Sequence, residues 1–455
     1  MHPTHTEAST HRSSWLQSAL LWLITFFLIL GSVLTAPNGA WENVPGLWIG
    51  IAVMGLGFVL SWALTSLGWL WFWSVAVITR GLLLPMIPGD DIWRYLWEGH
   101  IQNLGFSPFH LAPNAAELIA YRTEWWDQIN LPDVSAIYPP ITQLGFRGLA
   151  AIATSVVLFK LAFTLADLGV CWLLSRRFGY VRATLYAWNP LIIYSFAGGG
   201  HYDSWFILPL VAAWLIYDQP HTVLVPGLKS LSQKARMRLQ RLGSSLLLGL
   251  SIAIKWVSLP IAGFLAWQTY RKSGLRPLVI VFALVAAPIV VSAIPFCNGG
   301  DCPLIPTSSS FVIHWRSAEL IPYLLTPLWP SLLTQNWPYL LALAIIGLSL
   351  IWRSISFGQF AERFLSVLII LSPIVHLWYL TWSVPFAVAS GNWGIRLMSL
   401  SGFVYFAMPH RWTFGDFSWK LTLVERTIFW LPFVLGWAWT LWRGQFHVSL
   451  NLTRE

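Results

Sequence analysis

Residues 67–100 read LGWLWFWSVAVITRGLLLPMIPGDDIWRYLWEGH. The first part, 67–87, holds one ionisable side chain, Arg80, in 21 residues. At 1.5 Å per residue, that run is long enough to cross a hydrocarbon core of about 30 Å as a helix. Pro85 and Pro88 close it, and Asp90 and Asp91 follow at its water-facing end. Two adjacent carboxylates in that place are either a helix cap or a site that handles protons or cations.

The rest of the chain has the same character. Of 455 residues, 56% are hydrophobic, 10% are charged and 31 are Trp, whereas a soluble domain carries about 25% charged residues. A soluble enzyme is excluded, and the chain reads as an all-α, polytopic membrane protein. Apolar runs fall at 15–35, 47–64, 67–87, 150–174, 184–198, 204–217, 244–258, 259–267, 278–295, 337–352, 364–379, 380–389, 397–408 and 427–441. Several are shorter than the roughly 17 residues of a full span, so 244–267 and 364–389 are expected as tilted or broken helices or as one long span each. Ten to fourteen spans are expected. The run at 15–35 reads as a span rather than a cleaved signal peptide. In sequence order, 1–79 forms N-terminal spans and 80–295 a module with a long outward loop at 88–147. Residues 296–455 form a second module with an outward loop at 296–336.

Lys and Arg set the orientation. With the N-terminus cytoplasmic, one side receives 17 of them and the other seven, Arg94, Arg122, Arg147, Arg316, Arg411, Lys420 and Arg426. The positive-inside rule makes the richer side cytoplasmic, so the acidic pair and both long loops face the periplasm of a bacterial inner membrane or its equivalent. The net charge of +9 follows from this topology. The basic run 229–241 is then an anchor on anionic lipid, not a nucleic-acid patch. Cys297 and Cys302 lie in the second outward loop, where an oxidising compartment permits a disulfide. Cys171 lies in a span. Repeats, nucleotide-binding glycine motifs and zinc-type spacings are absent from the sequence.

After the acidic pair, residues 92–103 fit an amphipathic surface helix with Trp93 and Trp97 toward lipid headgroups and Glu98 closing it near Gly99. Within the spans, ionisable residues are functional candidates, because each costs about 2.5–3.5 kcal/mol to insert. They are Arg80, Lys160, Asp167 and Lys255. Lys160 and Asp167, seven apart, share a helix face and fit an internal ion pair. Lys255 falls at an expected helix break, where its ammonium either meets a phosphate or snorkels to the interface. His201 and Asp203 in GGGHYDS, and His376 in SPIVHLWY, arrive at the same face as Asp90 and Asp91. Convergence of polar groups from separate segments is harder to explain by capping alone, although Asp203 also fits a cap on the next helix.

Together, Asp90-Asp91-Ile92-Trp93-Arg94-Tyr95-Leu96-Trp97-Glu98-Gly99, Ser107-Pro108-Phe109, Ile137-Tyr138-Pro139-Pro140, Leu165-Ala166-Asp167-Leu168, Gly200-His201-Tyr202-Asp203 and His376-Leu377-Trp378-Tyr379 resemble the GT-C superfamily of integral-membrane glycosyltransferases. The branch they resemble is that of polyprenol-phosphate-mannose-dependent α-mannosyltransferases and their bacterial relatives. Trp93, Glu98, Tyr202 and Leu377 depart from the usual Tyr, Asp, Asn and Pro, and both carboxylates of the pair are retained. The resemblance implies transfer of a sugar, mannose first, from a polyprenyl-phosphate donor to a glycan or glycolipid hydroxyl, with inversion. Asp90 or Asp91 is the implied general base. Arg94, Lys255, His201 and His376 are candidates for the donor phosphate, and Glu98, Tyr138, Asp167, Asp203 and Tyr379 for support. A divalent cation is left open, with Asp90 and Asp91 as its ligands if present. The rival class is a transporter or lipid flippase, which would place its polar residues at midplane helix breaks in two related halves.

Overall fold

A computed structural model describes residues 5–39, 41–218, 232–298, 302–304 and 315–452. Lys229, Arg454 and residues 305–314 of the second outward loop lie outside these. Among the described residues the protein is all-α, with an isolated bridge between Ser317 and Ile374. Hydrocarbon offers no hydrogen bonds to a backbone, so apolar segments of this length satisfy their own as helices.

The helices of eight or more residues are α1 His5–Thr35, α2 Val44–Ser61, α3 Trp69–Leu83, α4 Asp91–Asn103, α5 Pro140–Ile152, α6 Val156–Phe178, α7 Tyr180–Ala187, α8 Ser204–Asp218, α9 Gln233–Ile254, α10 Leu259–Ser273, α11 Leu275–Ala293, α12 Trp337–Arg353, α13 Phe357–Leu371, α14 Trp393–Ser401 and α15 Leu423–Leu452. The segments Trp15–Thr35, Val44–Ser61, Val156–Phe178 and Leu275–Phe296 are long and apolar enough to cross a membrane. Trp69–Leu83, Ser204–Asp218 and Trp337–Arg353 are shorter apolar helices. This is an integral membrane protein.

The fourteen apolar runs do not become fourteen straight spans. The run 244–267 breaks at Lys255, whose backbone is extended (φ −152°, ψ 123°) between α9 and a 3₁₀ turn at Trp256–Ser258. The carbonyl freed at Ile254 accepts from Thr142 Oγ1 at 2.8 Å, and Ser251 and Ser258 pair their hydroxyls at 2.9 Å. The run 364–389 likewise breaks after Leu371 and resumes as a 3₁₀ helix, Leu377–Ser383. Of the alternatives open for these two segments, a broken helix or one long span, both are broken.

The chain divides into two compact units, each discontinuous in sequence: 1–87 with 174–199 and 387–455, and 88–173 with 200–386. In the first, α1 and α2 approach so closely that a Cβ at Gly31 would lie 2.3 Å from the Met54 nitrogen, the small-residue packing common between membrane helices. Arg80, buried there, donates to the Ala187 carbonyl at 2.8 Å. In the second unit, α4 packs on α5 through Gly99, where a Cβ would meet the Phe146 carbonyl at 2.4 Å.

The second unit also corrects the expected surface helix. Helix α4 continues past Glu98 to Asn103, and Trp97 is fully buried rather than turned to lipid headgroups. Trp97, Ile101, Leu118 and Ile129 form a small core, with Trp93, Phe106 and Trp125 packed against it. The loop 104–139 therefore closes over α4 and supplies the apolar contacts that the membrane was expected to give. Phe109 of this loop meets Phe296 with ring centroids 5.0 Å apart. Directly after Phe296, Cys297 and Cys302 form a disulfide.

Candidate active site

All residues of the site lie in the second unit. Helix α4 begins with the acidic pair: Asp90 occupies its N-cap position without a side-chain cap bond, and Asp91 is its first residue. The pair is therefore not a helix cap. Asn130, from the loop closing over α4, donates its amide to both carboxylates, at 2.9 Å to Asp91 Oδ1 and 3.2 Å to Asp90 Oδ2. Asp91 Oδ2 also lies 3.4 Å from the Tyr95 hydroxyl and 3.5 Å from His201 Nδ1.

Unequal surroundings separate the two acids. Burial and the Asp91 charge push Asp90 up to about 6, against the Asn130 bond and the His201 charge. Burial acts in the same direction on Asp91, but the hydrogen bond and charge of His201, with His376 and Asn130, outweigh it and hold Asp91 down to about 2. Neighbouring carboxylates thus divide into a proton holder and an anion.

His201 reaches the pair through a sharp turn. Gly200 has φ +75°, and a Cβ there would lie 2.7 Å from the Ile92 side chain and 3.2 Å from Lys160, so the turn needs glycine for both conformation and space. The His201 ring stacks on Trp378 at 3.7 Å, and His376 stacks on the same indole at 4.6 Å with 1° between planes. Trp378 thus stacks with both imidazoles. The segment carrying His376 and Trp378 is fixed through the Val375 amide, which donates to the Ser317 carbonyl at 2.8 Å.

A second charged centre adjoins the first. The Lys255 ammonium donates to Asp203 Oδ1 at 2.6 Å, and Trp382 Nε1 donates to the same oxygen at 2.6 Å. Asp203 is fully buried, and its Oδ2 has no hydrogen-bond partner among the described residues. Aromatic faces surround the ammonium, with Tyr379 and Trp382 at 5.0 Å, Tyr202 at 5.2 Å and Phe206 at 5.9 Å, within range of cation–π attraction. Tyr379 and Trp382 also line an apolar cavity of about 320 Å³, together with Trp256, Val257, Leu343 and Phe364. Ring contacts join the two centres: Tyr95 meets Tyr202 at 5.5 Å and Tyr138 at 5.4 Å.

The site thus brings together Asp90, Asp91, His201, Asp203, Lys255, His376, Tyr138 and Tyr379. Arg94 has another place. Its Nε donates to Glu98 Oε1 at 2.8 Å, Nη1 to the carbonyls of Asn130 (3.3 Å) and Leu131 (3.1 Å), and Nη2 to those of Val134 and Ser135. All five guanidinium donors meet protein acceptors, which leaves none for a phosphate. Glu98 completes the clamp by accepting from Gln143 at 2.6 Å. Asp167 is buried in α6, seven residues or about 10 Å along the axis from Lys160. Among the described residues no group of three or more His, Cys, Asp or Glu is arranged to hold a metal ion. An amide donor bridges the acidic pair.

Asn130, Trp378 and Trp382 belong to the site without having been singled out in sequence. Trp378 stands inside the HLWY motif, whereas nothing local distinguishes Asn130 from other polar loop residues.

Neither a protein-family model nor a curated protein matches the sequence. Among solved structures, the chain is similar to ArnT from Cupriavidus metallidurans bound to undecaprenyl phosphate, at a TM-score of 0.42 and 13% identity over 81% of this chain and 75% of that chain. At that score and identity the likeness decides neither substrate nor chemistry.

Proposed function

We propose that this protein is a membrane glycosyltransferase of the GT-C type that moves a sugar, mannose first among the candidates, from a polyprenyl phosphate to an acceptor hydroxyl at the outer membrane surface. One observation carries the proposal: a carboxylate pair and a cation with donors to spare stand in one aromatic-walled site, and two of the rings around the cation, Tyr379 and Trp382, line an apolar cavity. That order fits a donor whose anionic headgroup follows a hydrocarbon tail.

In the proposed reaction the acceptor oxygen attacks the anomeric carbon, its proton passes to a carboxylate, and the bond from that carbon to the phosphate oxygen breaks. The polyprenyl phosphate leaves as an anion, and the configuration inverts. Asp90 is the better base, because its affinity for a proton lies closer to neutral pH and it carries fewer donors than Asp91. Asp91, fixed by Asn130, Tyr95 and His201, orients the acceptor. The departing phosphate needs positive charge rather than a strong acid, and Lys255 supplies it, with His201 beside the pair.

The test is transfer by purified protein given a panel of polyprenyl-phosphate sugars and membrane lipid extract. Wild type yields labelled product, and the Asp90→Asn/Asp91→Asn double variant, equally abundant and folded, yields none. Full activity in that variant removes the proposal.

A further inference from the structure

The same amide that touches both carboxylates belongs to a residue whose backbone is gripped from below. Asn130 gives its two N–H groups to Asp90 and Asp91, while its own carbonyl and that of Leu131 accept from Arg94. Arg94 lies one turn beyond Asp91 on α4, so one helix carries the acids and also holds the loop that serves them. Leu131 has φ +47°, in the left-handed region, which a leucine rarely enters. That turn lets the carbonyls of two successive residues, 130 and 131, face the same guanidinium nitrogen.

We propose that Asn130 is a positioning residue: its carboxamide, held by the Arg94 clamp, sets the separation and orientation of Asp90 and Asp91. Two adjacent carboxylates repel, and a neutral group donating to both relieves that repulsion without adding charge. No other side chain donates to both acids among the described residues. An Asp at position 130 would keep the shape, remove the donors and add a third negative charge. A Ser would reach one carboxylate only. The role presupposes the acid–base pair proposed above.

Two measurements on the full-length protein in detergent test it. The first needs no activity: the rate at which an apolar carbodiimide modifies Asp90 and Asp91, read by mass spectrometry. Asn130→Ala is expected to raise that rate at least threefold, because a carboxyl deprived of its donor protonates more readily and moves freely. Arg94→Lys is expected to raise it as well, with the double variant no faster than Asn130→Ala alone, since both act through one group. The second is the kinetic split. Turnover is expected to fall in the order wild type, Asn130→Ser, Asn130→Ala, Asn130→Asp, by about a hundredfold for Ala, the scale of a 1 Å misplacement. The donor KM and the melting temperature should stay near wild type. Unchanged labelling in Asn130→Ala overturns the positioning role whether or not transfer is seen. So does a turnover loss that merely follows the folded fraction. Absence of transfer by wild type, with faster labelling in Asn130→Ala, removes the functional reading and leaves the geometry of the pair supported.

Discussion

Arg94–Glu98 and Lys255–Asp203 are both cation–carboxylate pairs of the second unit, with contacts of 2.8 and 2.6 Å. Arg94 is 3% exposed and Glu98 2%, against 18% for Lys255 and 0% for Asp203. Distance does not separate them; the exposure of the cation and, above all, its saturation do. Every donor of Arg94 has a protein acceptor, four of them backbone carbonyls 36 to 41 residues away. Lys255 has one carboxylate and a wall of rings, and its carboxylate keeps an unpartnered oxygen. A buried charge whose bonding is complete holds the fold. One whose bonding is incomplete costs free energy in the empty protein, and a ligand that completes it recovers that cost.

Removing the saturated cation should have the largest effect. Arg94→Met leaves Glu98 buried without its cation and frees four carbonyls, and one-sided loss from a buried pair costs about 3–5 kcal/mol. Thermal melting in detergent should show a large fall or a collapse in folded yield. A stable, active Arg94→Met protein would break the comparison from one side. Lys255→Met combined with Asp203→Asn removes both charges and offers the aromatic cage an apolar chain, so the fold should survive. Donor KM should then rise at least tenfold, about 1.4 kcal/mol, while acceptor KM changes little. Equal loss for both substrates would make Lys255 structural as well.

The acidic pair sharpens the same contrast by pH. Asp90 is raised to about 6 from an ordinary 3.8, so the folded protein favours its protonated form. Its stabilising contribution is complete below pH 3.8 and disappears as pH rises through about 6. Asp91 is lowered to about 2, so its contribution is present above 3.8 and disappears as pH falls through about 2. Between about 4 and 6 the pair therefore holds one proton, on Asp90. If Asp90 is the base, kcat/KM should climb with pH and level above about 6. An activity already level from pH 5 would give the role to Asp91.

Much of this was legible in the sequence because polar residues are scarce in it. The apolar runs announced helices, and the two runs too awkward for single spans broke where a lysine and a proline interrupt them, at Lys255 and near Pro373. Asp90, Asp91, His201 and Asp203 stood out against an apolar background for the same reason. Arg94 stood out too, and its work as a clamp was hidden because its partners are carbonyls, which every residue carries. Trp97 misled through a periodicity that suits a lipid surface and a covering loop equally well. Trp382 is one of 31 tryptophans, and its donation to Asp203 joins residues 179 apart, a contact that only the fold creates.

The smallest expected effect tests whether the clamp or the local backbone directs the loop. A leucine in the left-handed region gives up roughly 1–2 kcal/mol relative to an unstrained conformation, and Leu131 does so at φ +47°. Leu131→Gly removes that strain, but glycine loses more chain entropy on ordering, about 0.5–1 kcal/mol, and the half-exposed leucyl side chain contributes little packing. The terms nearly cancel, so melting should move by no more than a few degrees. Turnover should stay within about twofold, because Arg94 still holds the 130 and 131 carbonyls. If Leu131→Gly instead lowers turnover as Asn130→Ala is expected to, the leucine's stiffness aims the amide. Arg94 would then secure a turn that the backbone had already set.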